Sequence, residues 1–147
     1  MDTSTMQKHL SYNNCQILMK FVASIISPLE KNSKMLLFCG EGTQIIDKVI
    51  NDIKKYLGPT LCGHYHKIDD IIHSNIKKLV FVGNIDNNIC CLHSYTKQCT
   101  QILINLILYE QSIIGVTTNL DVLDPRLLER CVIIKCESSL FEEMTES

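Results

Sequence analysis

The chain has 147 residues, 46% of them apolar, with a net charge of −2 and a pI near 6.2. That is one domain's worth of chain, long enough to bury a core. The balance excludes the basic footprint of a free-standing nucleic-acid binder, and no apolar run is long enough to span a membrane. Eight cysteines follow a polar start, "MDTSTMQKHLSYNN", that reads as no signal peptide, so the thiols are expected reduced, in cytosol or nucleus.

Residues 1–14 are polar and read as a flexible N-terminal segment. From Cys15 to Leu29 the apolar residues Ile17, Leu18, Phe21, Val22, Ile25 and Ile26 recur at helical spacing and stop near Pro28. "MLLFCG" (35–40) is a short continuous apolar run, the mark of a strand covered on both faces. "EGTQIIDKVINDIKKYLG" (41–58) then reads as a helix, with lysines late and Gly58–Pro59 as its stop. "TLCGHYHKI" is a weak strand and "DDIIHSNI" a short helix. Leu79–Val82 is another buried strand, running into the polar loop "GNIDNN". "TKQCTQILINLILYE" is an amphipathic helix, "SIIGVTTN" a strand with a polar tip, "DPRLLER" a helical turn and "CVIIKC" the last strand. Strands and helices alternate, and the strands are apolar throughout. The pattern predicts an α/β fold: a parallel five-stranded sheet with helices on both faces, a three-layer sandwich occupying 15–140, followed by an acidic tail at 141–147. Ligands of such sheets sit beyond the carboxyl ends of the strands.

Strand, Gly-containing loop and helix over 35–57 have the layout of a P-loop, in which backbone amides and a Lys cradle phosphates and a Ser or Thr holds magnesium. This copy, "CGEGTQII", is shortened. Gly40, Gly42 and Thr43 remain, but Gly42 stands where the Lys is needed, and Lys48 lies more than a turn into the helix. Thr43 as a plain helix cap is the competing reading. After the Leu79–Val82 strand a working enzyme carries Asp-Glu for magnesium and water. Here Gly83–Asn84 stand there, and Asp86 is the carboxylate left nearby, in what also reads as an ordinary turn. Asn119, at the tip of "IIGVTTN", reads equally as a polar sensor or as a cap. "CGHYH" and "CCLH" match no common zinc spacing, and no metal is expected.

The chain's only arginines, Arg126 and Arg130, are four residues apart in "LDPRLLERC"; the other twelve cationic side chains are lysines. On a helix that spacing presents both guanidinium groups on one face. Guanidinium forks suit phosphate oxygens in a way an ammonium does not. Pairing with Glu129 or Asp124 on the surface is the plainer alternative.

Together "NSKMLLFCGEGTQIIDKVINDI" (32–53), "LVFVGNIDNN" (79–88) and above all "QILINLILYEQSIIGVTTNLDVLDPRLLERCVII" (101–134) resemble the core of AAA+ ATPases without its lid domain. Within that superfamily the chain looks most like the fourth-subunit family of the eukaryotic origin recognition complex. Asn119–Leu123, "NLDVL", fits that family's "X-Leu-Asp-Ile-Leu" element, and Arg126 and Arg130 fall on its two arginines. The resemblance implies a replication-initiation subunit, catalytically inactive, that inserts an arginine finger into a neighbour's site. It implies weak ATP binding, or ATP only at an interface with a partner. It implies origin recognition complex partners, the largest ATPase subunit above all, contact with DNA mainly through the complex, no membrane, and a nuclear location. A clamp-loader-like AAA+ subunit and a divergent stand-alone NTPase or helicase are the alternatives.

Overall fold

The computed structural model describes residues 1–27, 32–40, 43–72, 78–83, 85 and 93–136, with backbone alone at 43, 69, 72 and 93–97. Two helices open it, α1 (Ser4–His9) and α2 (Tyr12–Ile26). Then come β1 (Met35–Cys39), α3 (Thr43–Leu57), β2 (Cys62–Tyr65), α4 (Ile68–Ile72) and β3 (Leu79–Val82). α5 (His93–Leu108), β4 (Ser112–Thr117), a 3-10 turn (Leu120–Val122), α6 (Pro125–Leu128) and β5 (Cys131–Lys135) complete it. The strands form one sheet in the order β2-β3-β4-β1-β5, and every pairing is parallel. The predicted α/β architecture and its strands are all present.

The apolar strand runs are explained by cover on both faces. Along β1, Leu36 and Phe38 face a cluster built with Leu18, Phe21, Ile46, Val49 and Ile53 from α2 and α3. Met35 and Leu37 face the opposite cluster, with Leu103, Ile107 and Leu127 from α5 and α6. Alternation along a strand sends successive side chains to opposite faces, so a central strand needs apolar residues at every position. Each such side chain contributes about 1.5–3 kcal/mol by leaving water. The edge strand β2 has no such demand and is half-exposed.

Local chemistry sets the ends. Ser11 caps α2, its Oγ accepting from the Asn14 amide at 3.1 Å. α3 ends at Gly58, whose φ of +87° suits a residue without Cβ, and the Gly58 amide donates to the Lys54 carbonyl. α5 ends on Glu110, a non-glycine at φ +64°, with the Gln111 amide reaching back to the Leu106 carbonyl.

One boundary is corrected. The expected flexible segment 1–14 is folded: it forms α1 and the first turn of α2, and Met6 and Leu10 are buried in the core. The Cys15 thiol donates to the Met6 carbonyl at 3.2 Å. The polar letters of this stretch hid two apolar anchors, too few to show a period. The expected tail at 141–147 lies outside the described residues.

Candidate functional site

Register places four strand ends along one edge. Cys39 of β1 lies beside Thr117 of β4 and Lys135 of β5, and Val82 of β3 lies beside Gly115. The loops leaving β1, β3 and β4 therefore start side by side at the carboxyl edge, where parallel sheets bind ligands. Gly40 leaves β1 there, Gly83 leaves β3, and Asn119 follows β4. Thr43 opens α3, but its side chain is outside the described residues, as are Gly42 and Asp86.

Gly40 has a structural reason to be glycine. Its φ is +153°, and a Cβ would run into the carbonyl oxygen of Cys136. The Cys136 amide donates to the Cys39 carbonyl at 2.8 Å, and the Gly40 amide to the Thr117 carbonyl at 3.3 Å. The loop is thus tied to both neighbouring strands. Asn119 caps the 3-10 turn, its Oδ1 accepting from the Asp121 amide at 3.0 Å. Buried Thr117 accepts from the Asn119 amide at 3.3 Å. The capping reading of Asn119 is the one this geometry displays.

At the second motif, Gly83 continues the ladder, its amide donating to the Tyr65 carbonyl at 2.9 Å. A Cβ on Gly83 would lie 2.9 Å from Nδ1 of His66 and 3.8 Å from Nε2 of His64. A side chain at position 83 would have to displace the exposed His66 ring. Nothing in the sequence flagged His66 for this place; only the β2–β3 pairing brings it there. Among the described residues no three His, Cys, Asp or Glu side chains are grouped to hold a metal ion.

The arginines sit elsewhere. α6 is one turn, with Pro at its start and Asp124 as its cap, Oδ1 accepting from the Arg126 amide at 2.8 Å. The Arg126 side chain is 61% exposed, and its guanidinium donates back to Asp124 at 3.0 and 3.3 Å. These hydrogen bonds hold the Asp124 carboxyl below its ordinary range. Only Arg126 lies in the helix. Arg130 follows two residues past its end, half-buried, so the expected shared helical face is not formed by α6. The Arg130 carbonyl accepts from the Met35 amide at 3.0 Å. Met35 begins β1, so Arg130 is at the amino edge of the sheet, opposite the loops just described.

No family model matches the chain, and no curated protein matches it. Solved structures do. A DNA replication initiation factor shares 14% identity over 91% of this chain and 49% of its own, with a TM-score of 0.54. AMPPCP-bound DnaA from Aquifex aeolicus shares 15% over 85% and 47%, at 0.52. PCH-2 of C. elegans shares 12% over 91% and 45%, at 0.54. The fold is AAA+ core-like. The chain spans about half the length of these structures. At such identities the likeness establishes the fold and leaves activity open.

Proposed function

We propose that this chain is a pseudo-ATPase part of a DNA-replication-initiation assembly, resembling the fourth subunit of the origin recognition complex, and that it lends an arginine finger to a neighbouring ATPase. The observation that carries this is the separation of Arg130 from the loops at the carboxyl edge of the sheet. Arg130 enters β5 beside the first residue of β1, while Gly40 leaves the last, so roughly 17 Å of strand lies between them at ~3.3 Å per residue. Side chains at the amino edge reach phosphates only in another subunit. Arg126 is exposed and ion-pairs with half-buried Asp124, which it would leave on inserting into a neighbour.

Two features support loss of hydrolysis by the chain itself: Gly42 stands where the phosphate-binding Lys would be, and Gly83 where the metal carboxylate would be. Residual ATP would be held by backbone amides at the start of α3, or at an interface. The replication-initiation role rests on the motif resemblance and on the fold shared with a replication initiation factor and DnaA. In this reading the protein works in the nucleus, and DNA is met through the complex.

The test is ATP hydrolysis by a reconstituted complex of origin recognition subunits, with this chain as wild type, Arg126→Ala or Arg130→Ala. A loss of ~10³-fold or more with assembly intact is the expected result for the finger. An unchanged rate in both variants reduces the arginines to surface residues. Turnover by the isolated chain would replace this reading with that of a stand-alone NTPase, and assembly with a sliding clamp would favour a clamp-loader subunit.

A further inference from the structure

Away from the arginines, the end of α3 and the edge strand β2 share an unusual contact. Lys54 Nζ meets His64 Nδ1 and lies 5.2 Å from the centre of the Phe81 ring. The His64 ring also approaches Phe81, at 6.1 Å between centroids, and His66, at 5.2 Å. A cavity of about 360 Å³ opens beside the pair, lined by Lys54, Lys55, Pro59, Cys62, Gly63 and His64. An ammonium can only donate, so Nδ1 must accept, and the neutral ring carries its proton on Nε2. Protonated His64 has no acceptor left, and the contact becomes one between two cations.

We propose that Lys54 and His64 form a pH-sensitive latch, closed while His64 is neutral, that pins the edge strand β2 to the end of α3. Of the charged and titratable neighbours, Lys54 and His66 favour this direction and Asp47 opposes it. From α3 come Lys54 and Lys55, opposed by Asp47; from β2 and the turn after it come Cys62 and His66; β3 supplies the uncharged Phe81. Although His64 as a residue is exposed, packing of its ring against Phe81 and α3 is the largest cause lowering its proton affinity, with Lys54 and His66 adding to it. The folded state thus binds the proton less well than the unfolded chain, whose value is near 6.5. Stability from the latch is present above pH 6.5 and is lost as pH falls through the lower folded value. Opening frees an edge strand, which has a single neighbour in the sheet.

The test is a proton NMR titration of the full chain, together with hydrogen exchange of the β2 amides at pH 7.5 and 5.0, corrected for intrinsic rates. The expected results are a His64 midpoint below 6.5 that rises in Lys54→Met, and loss of protection at Gly63–Tyr65 in acid. His64→Gln keeps an acceptor for Lys54 and does not titrate, so its β2 protection should hold at pH 5.0. His9, whose proton affinity is also lowered by burial and nearby lysines, is unchanged between these proteins and cancels in the comparison. A His64 midpoint at or above 6.5, a midpoint unmoved by Lys54→Met, or equal β2 protection at both pH values would overturn the latch.

Discussion

Gly40 has a packing reason to be glycine, whatever its loop binds. The letter fits a phosphate loop, but the conformation and the Cys136 carbonyl already require glycine. Gly40→Ala must push the end of β5 away from β1, and we expect a loss of about 2 kcal/mol or more in denaturant melts. A loss under ~0.5 kcal/mol would mean that the loop yields freely. Gly42, by contrast, was legible in the sequence alone, because an absent Lys is a fact about letters. His66 was not, since its place beside Gly83 depends on strand pairing between segments that sequence reading treats separately. The arginine spacing was visible too. That the helix stops at Leu128, leaving Arg130 in the turn before β5, was not, because a one-turn helix has no period to read.

Among the elements, α1 is the instructive one. Its sequence, "STMQKH", carries one large apolar residue, and Met6 is 1% exposed, packed in the cluster with α2 and α3. Local propensity would not hold six residues helical in water, so docking must. Met6→Ala should therefore cost about 2–5 kcal/mol in thermal or chemical melts, the range for a buried methionine. A surface-like cost below ~0.5 kcal/mol would return residues 1–14 to the flexible segment that the composition suggested. The α2, α3 and α5 helices needed no such rescue, because their apolar faces recur over several turns.

At the scale of the whole molecule, the cysteines report on closure of the two cores. The six described cysteines form no disulfide. Burial pushes the Cys131 thiol up to about 12 and the Cys136 thiol up to about 11. Thiolate is the reacting species, so both should resist iodoacetamide at pH 8 while half-exposed Cys39 and Cys62 react. In denaturant all should react alike. Mass mapping that finds Cys131 and Cys136 labelled first in the native protein would contradict the buried placement of β5 and the residue after it.

Sequence by itself determined the class of fold and the parallel sheet, and it shows Gly42 and Gly83 where a working P-loop enzyme carries Lys and Asp. Periodicity and missing letters are properties of the chain, independent of what it touches. Tertiary structure alone decided the strand order, and with it which loops share an edge. It put Arg130 beside Met35, at the far end of the sheet from Gly40, and it put His66 over Gly83. These are contacts between distant segments, set by how both sheet faces are covered at once, and no local window of residues contains that information.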